Sequence, residues 1–360
     1  MTADTVGGVW IYSLELAREF SKKGIEVHLA TMGKKLTYNQ WVEADMVNEL
    51  IIHESEFKLE WMENAWEEVD QAGEWLLNLA NRLQPDIVHL NNFAHGHLPF
   101  PAPVVMVGHS CVFSWWEAVK KEPVPEKYNE YHRRVKRGIA GADVFVSVSH
   151  AIRNDFQKLY GSLGENEVIY NGRKSGEFRA KKKLPYIFSM GRIWDEAKNL
   201  SLIDSIADKL IWQVRIAGTN IHPEMGTEMP VRQVQMLGQQ TPREVREHLA
   251  VSAIYALPAK YEPFGLTVLE AALSGCAMVL SDIPTFRELW EDAALFVAPD
   301  DVIGWTTALN EVARNKPLRV RLAKLAQLRA QEYTTDIMGT KYLKLYARLM
   351  SENGEKIKQK

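Results

Sequence analysis

The sequence predicts an α/β protein made of two parallel-sheet domains, and three observations support this. Apolar strand-like runs alternate with helical patterns, and the alternation starts twice along the chain; such a pattern buries a parallel sheet between helices. At 360 residues the chain exceeds one typical domain, and 46% hydrophobic residues suffice for two cores. Between the two series lies a polar, basic stretch, RKSGEFRAKKK, at 173–183. We therefore assign 1–172 to a first domain, 173–183 to a linker and 184–335 to a second domain. A last helix, about 336–360, is long enough at about 1.5 Å per residue to return to and complete the first domain. Parallel sheets collect ligands at the carboxyl ends of their strands, so two such domains are expected to face each other across a cleft.

Composition narrows the class of partner. A net charge of −3 gives no overall attraction to nucleic acid, and no nucleic-acid role is expected. Cys111 and Cys276 stand far apart in apolar surroundings, which suits a reducing compartment and buried, unpaired thiols. No apolar run approaches the roughly 20 residues of a membrane span, and no charged leader precedes an apolar segment at the start. A soluble, cytoplasmic protein is expected, with peripheral contact at the inner face of the membrane as the alternative.

In the first domain a very short strand leads into Gly7-Gly8 and a helix over 9–20, whose Ile11, Leu14, Leu16, Ala17 and Phe20 suit one buried face. Gly24 stops it and 26–31 forms the next strand. Residues 60–83 read as one long amphipathic helix. The region contains Trp41, Trp61, Trp66 and Trp75, which at helical spacing are core aromatics, with sugar stacking as the sharper alternative. Strands recur at 86–90, 104–107 and 143–148. At their carboxyl ends lie Gly7-Gly8, the run 91–97 with His95 and His97, and Gly108-His109-Ser110. His95 and His97 lack a nearby carboxylate or thiol to complete a metal set, so no metal is expected. His109 is the candidate for substrate contact, against the alternative of a hydrogen-bonded loop histidine. His95, Trp115 and Trp116 are weaker acceptor-side candidates. The helix over 126–137, with Arg133, Arg134, Lys136 and Arg137, reads as a solvated face with cations at its end, and a contact for an anionic surface is the alternative.

In the second domain strands are expected at 186–190, 213–217, 234–237, 254–257 and 277–280, with Gly191-Arg192, Gly218 and Gly238 at strand ends. The segment 260–281, KYEPFGLTVLEAALSGCAMVLS, is a strand-to-helix turn followed by another strand. The N–H groups of Gly265, Leu266 and Thr267 would open its helix and form an anion seat. Glu262 lies in the turn and Glu270 inside the helix. Arg192 and Lys198 can neutralise a diphosphate as charge-assisted donors. The chain has no Asp-x-Asp pair of the kind that holds Mg²⁺ for this purpose, which suggests a metal-independent transferase.

Gly191-Arg192 with Lys198-Asn199, then Glu262-Pro-Phe-Gly-Leu-Thr-Val-Leu-Glu270 with its E-x₇-E spacing, resembles the signature of retaining nucleotide-sugar glycosyltransferases of the GT-B fold, the glycogen-synthase and sucrose-synthase-like group (glycosyltransferase family 4, glycosyl transferases group 1). Further pieces at 7–8, 85–89, 146–149, 169–172 and 282–288 fall in the family's order. The interval RIWDEAK is one residue longer than the commonest version, so that loop is expected to bulge.

The resemblance implies two Rossmann-like domains and a residue-by-residue division of labour. Arg192 and Lys198 would hold the donor diphosphate, Glu270 the ribose and Glu262 the transferred sugar. The backbone after Phe264, at Gly265, Leu266 and Thr267, would contact the distal phosphate and the sugar. Leu237 and Gly238 would hold the nucleobase, Gly8 would approach the donor, and His109 would sit near the reacting sugar. Glu262, His109, Arg192 and Lys198 are thus the expected catalytic set. The implied reaction moves a hexose with retention, from an NDP-sugar with UDP-glucose favoured, to a glycan, lipid-linked or small-molecule hydroxyl, with no cofactor. A two-Rossmann sugar-nucleotide 2-epimerase is the competing expectation, and a silent nucleotide-sugar-binding module a third.

Overall fold

The computed structural model describes the backbone of residues 1–221 and 226–358. The chain divides into two compact units. The first contains Met1–Glu117, Glu122–Gly172 and the helix Thr335–Lys358; the second contains Arg173–Thr334 together with Ala118–Lys121.

Among the described residues the first unit has seven strands: β1 (Thr2–Asp4), β2 (Val27–Met32), β3 (Leu50–Glu54), β4 (Val88–Leu90), β5 (Val104–Gly108), β6 (Val144–Ser147) and β7 (Asn166–Val168). They form two parallel sheets, ordered β1-β2-β3 and β4-β5-β6-β7. Thr2 joins them: its Oγ1 accepts the Asn91 N–H at 2.8 Å, and its carbonyl accepts Asn91 Nδ2–H at 2.6 Å. Strand order therefore runs outward in both directions from the β1/β4 junction. Every residue of β5 is buried, as a central strand between helices must be.

The helix Thr335–Lys358 packs on the helix Gly8–Ser21. Thr335 Oγ1 donates to Glu19 Oε1 at 2.7 Å, and Tyr346 lies 5.5 Å from Phe20, ring to ring. Gly339 is needed at this crossing, because a Cβ there would lie 2.8 Å from Glu19 Cβ.

The second unit carries β8 (Leu184–Met190), β9 (Gln213–Ala217), β10 (Gln235–Gly238), β11 (Ser252–Leu257), β12 (Ala277–Ser281) and β13 (Ala294–Val297) in one parallel sheet ordered β10-β9-β8-β11-β12-β13. The order reverses between β8 and β11, and a doubly wound sheet opens a ligand crevice at such a point. β11 and β12 are buried along their whole length. Cys111 and Cys276 are both buried and unpaired.

Several expectations need correction. Ile11 is 36% exposed, because the buried arc of its helix is set by Leu14, Ala17 and Phe20 together with Trp10. The long helix begins only at Trp66; residues 60–65 precede it as a loop whose Glu60 carboxylate accepts N–H bonds from Phe93 and Ala94. The basic segment is a 3₁₀ turn, Glu126–Tyr128, followed by the helix Asn129–Gly141, so its cations lie mid-helix. There Glu130 pairs with Arg133 and Arg134, and Asp70 pairs with Arg134, which removes much of the field an anionic surface would feel. Residues 173–183, expected as a linker, are largely exposed but anchored on the second unit: Arg173 and Phe178 are buried, and the Lys181 N–H donates to the Ala250 carbonyl at 2.9 Å.

Candidate functional site

In the second unit, the candidate residues collect at the β8/β11 reversal. β8 delivers Gly191 and Arg192; Gly191 has φ +155°. Gly218, after β9, has φ +138°, and a Cβ on it would lie 1.9 Å from the Gly191 carbonyl oxygen, so only glycine permits this approach of two strand ends. The Lys198 side chain lies against Gly191, 3.4 Å from where a Cβ there would sit. On the other side β11 ends in the turn to Gly265, whose αL backbone (φ +86°) caps the helix Leu266–Leu273. The N–H groups of Leu266 and Thr267 thus start a helix at the sheet's carboxyl edge, where the dipole favours an anion.

Lys198 Nζ and the Glu262 carboxylate form a direct ion pair, with side chains 22% and 10% exposed. Glu262 is therefore held against Lys198 within the same unit. Arg192 stacks on Trp194 at 4.9 Å and donates to Asp195 Oδ2 at 2.7 Å. Asp195, inside the long RIWDEAK interval, also accepts the Ala197 N–H at 3.0 Å, so the extra length is taken up by a tight side-chain-capped turn.

Three cross-links hold the loops together. Asn199, in αL conformation (φ +54°), donates from Nδ2 to the carbonyls of Pro258 and Pro299 at 3.0 and 2.9 Å. The Lys260 N–H donates to the Ala197 carbonyl at 2.8 Å. Tyr255 donates to Thr267 Oγ1 at 2.9 Å.

Glu270 is 5% exposed and pairs with Arg173 at 2.9 Å. Burial pushes its carboxyl up, opposed by Arg173 and Arg246. Phe264 is buried with its ring edge-on to Tyr333 at 5.7 Å. Leu237 and Gly238 end β10, and the Gly238 carbonyl accepts the Gly218 N–H at 2.8 Å, which ties that edge to the β9 end.

Gly8 and His109 belong to the first unit. Gly8 opens the helix Gly8–Ser21, with Asp4 Oδ1 accepting the N–H groups of Val6 and Gly7 at 3.1 and 3.0 Å. His109 follows β5. Its Nε2 lies 2.9 Å from Asn91 Oδ1 and its ring sits edge-on to Tyr12 at 4.6 Å. Burial lowers its pKa to about 3, so the ring is neutral at physiological pH and Nε2–H donates to the Asn91 carbonyl oxygen. A cavity of about 90 Å³ opens at the β1/β4 junction beside His109.

The weaker candidates fare differently. Both ring nitrogens of His95 are engaged, with the Asn92 side chain at 2.5 Å and the Val69 carbonyl at 2.7 Å, so it holds the loop and has no nitrogen left for a ligand. Trp115 and Trp116 are half-buried and pack on each other at 5.9 Å, with Trp116 also against Tyr128. The sequence reading missed Asp195, Arg173 and Glu60. Asp195 sat within the interval whose length was already anomalous, which is the one signal that pointed to it.

Comparison with known proteins follows the same division of the chain. Residues 6–174 match glycosyltransferase family 4, and residues 172–329 match glycosyl transferases group 1. The O-antigen chain mannosyltransferase RfbU of Salmonella typhimurium is 28% identical over 181 residues, which cover 46% of this chain and 50% of that protein. The alpha-maltose-1-phosphate synthase of Mycobacterium tuberculosis is 26% identical over 255 residues, covering 60% of this chain and 65% of that one. The chain thus spans about half to two thirds of these relatives. Among solved structures, sucrose-phosphate synthase from Thermosynechococcus elongatus superposes with a TM-score of 0.78 at 16% identity, covering 97% of this chain and 95% of that one. Anabaena HepE in complex with UDP and glucose gives 0.77 at 14%, covering 96% and 99%. At these identities the structural likeness establishes the two-Rossmann architecture.

Proposed function

We propose, from the premise that the chain belongs to the GT-B glycosyltransferases, that it transfers a hexose with retention from an NDP-sugar, UDP-glucose being favoured, to a hydroxyl acceptor in polysaccharide or glycoconjugate synthesis. The observation that carries this reading is the Lys198–Glu262 pair beside the Gly265-capped helix, at the reversal of a doubly wound sheet. Relatives named for O-antigen synthesis and a structural neighbour holding UDP and glucose support the substrate class.

In this reading Lys198, Arg192 and the N–H groups of Leu266 and Thr267 take the developing charge of the leaving diphosphate, which removes the need for a metal. Glu262 accepts from hydroxyls of the transferred sugar and holds Lys198 in place until the diphosphate arrives. The acceptor hydroxyl attacks the anomeric carbon from the leaving-group side, the bond to the diphosphate breaks, and a diphosphate oxygen takes the hydroxyl proton. Retention by double displacement would instead require a carboxylate nucleophile beside that carbon. Glu270, already paired with Arg173, supports the ribose.

The test is a panel of NDP-sugars scored by thermal shift and by slow hydrolysis, each with and without EDTA. Stabilisation by one donor with EDTA-insensitive release of its NDP is expected. An epimerised sugar formed without acceptor, or no stabilisation by any donor, would overturn the reading.

A further inference from the structure

One residue, Asp195, organises the loop between the two cations of the second unit. Its N–H donates to the Arg192 carbonyl at 3.2 Å, and its carbonyl accepts the N–H groups of Lys198 and Asn199 at 2.9 and 3.3 Å. The carboxylate is divided in the same way. Oδ1 accepts the Ala197 N–H at 3.0 Å, and Oδ2 accepts from Arg192 Nη2 at 2.7 Å. Asp195, 9% exposed, thus carries the side chain of one cation and the backbone of the other. The Ile193 N–H, donating to the Thr219 carbonyl at 3.0 Å, anchors the same loop on the strand end beside it.

Arg192 has a long flexible stem, and its side chain is 45% exposed. Water does not order such a group, so an anion that captures it must also freeze its rotamers and loses affinity in doing so. Here two contacts have ordered it already. The half-buried Trp194 ring lies against the guanidinium at 4.9 Å, and Asp195 takes a bond at its edge. A planar group held on its face and at its edge has both tilt and rotation fixed. A guanidinium has five N–H donors, and the Asp195 bond uses one, so the fork keeps donors for a ligand.

We propose that the Asp195 carboxylate and the Trp194 ring are positioning residues of the donor site: they hold the Arg192 guanidinium in the orientation that receives a diphosphate, and they act on affinity only through it. The inference rests on the diphosphate role given to Arg192 under the transfer reading.

The test titrates the full chain with UDP, GDP and ADP by calorimetry and follows the diphosphate that binds most tightly. Trp194→Ala and Asp195→Asn should each weaken it about five- to tenfold, the loss expected when one long side chain must be ordered on binding. In an Arg192→Met background neither change should weaken it further, because a residue that acts through the guanidinium has nothing left to act on. Losses that simply add to that of Arg192→Met, or variants that bind as tightly as the wild type or more so, overturn the proposal. Should Arg192→Met bind too weakly to measure, Trp194→Phe decides: it keeps a ring face and should stay within about threefold of the wild type, and a loss equal to that of Trp194→Ala overturns the proposal. Should Asp195→Asn fail to fold, the Trp194 variants complete the test alone. A wild type that binds none of the three diphosphates sinks the donor reading itself, whereas binding with additive losses sinks only the role of Asp195 and Trp194.

Discussion

The two units solve one topological problem with opposite chemistry. In each, strand order runs outward from a junction, β1/β4 in the first and β8/β11 in the second, and in each the polar residues gather at the carboxyl edge of that junction. The second junction is built from ion pairs: Lys198 with Glu262, Arg192 with Asp195, Arg173 with Glu270. The first is built from amides, a neutral histidine and a carboxylate held by backbone N–H groups. The fold fixes where a site opens, and the side chains fix the sign of what it can hold.

The comparison can be broken first at the most buried pair. Arg173→Ala should cost about 3–5 kcal/mol of stability, because it strands Glu270 uncompensated in the interior. Chemical denaturation would show it, and a loss below about 1 kcal/mol would mean that the pair is solvated. Next in size, Lys198→Ala should slow transfer about 10²–10³-fold, the loss typical of one preorganised charge-stabilising donor. Turnover like that of the wild type would remove the diphosphate role. The two acids should also separate kinetically, with Glu262→Gln lowering kcat and Glu270→Gln raising the donor KM. Identical defects in both would refute the division.

Much of the fold was legible because it depends on local signals. Alternating apolar runs located the strands, and Gly265, between a buried strand and an apolar helix, marked the turn that caps the helix. Arg192, Lys198, Glu262 and Glu270 stood out by their places at a strand end, in a turn and in a helix, and the family resemblance supplied their expected roles. Their partners were harder to see. Arg173 belongs to Glu270 across 97 positions of sequence, and no local pattern encodes such a pair; its basic neighbours made it look like part of a tether. Glu60 was hidden for the related reason that the N–H groups it serves lie 33 and 34 residues on. Ile11 fits the helical period, but which arc of a helix is covered depends on what packs there.

Two smaller effects sharpen the contrast at the first junction. Burial raises the Glu60 carboxyl from 4.5 to about 7. A raised acid binds more protons folded than unfolded, so this group's contribution to stability is greatest below about pH 4.5 and falls as pH rises to about 7. Subtracting the Glu60→Gln stability profile from that of the wild type should show this decline, and a flat difference would place the carboxylate in solvent. The smallest effect is one of absence. His109 is held neutral by burial, so the pH profile of kcat/KM should lack a limb from this residue between about 5 and 8. A limb in that range that His109→Gln removes would show the ring to be charged in the working enzyme.

Asn199 has a consequence beyond its place in the turn. With one amide it holds the loop after β11 and the loop after β13, while the Ala197 carbonyl holds Lys260. These three strand-end loops therefore cannot open one at a time. A donor entering them meets walls ordered before it arrives and loses little affinity to arranging them. The same stiffness means that release is not governed by loops fraying singly. Amide exchange across 195–199, 258–262 and 298–301 should then proceed as one cooperative unit, and Asn199→Ala should loosen 298–301 from it while the Ala197–Lys260 bond keeps the other two together.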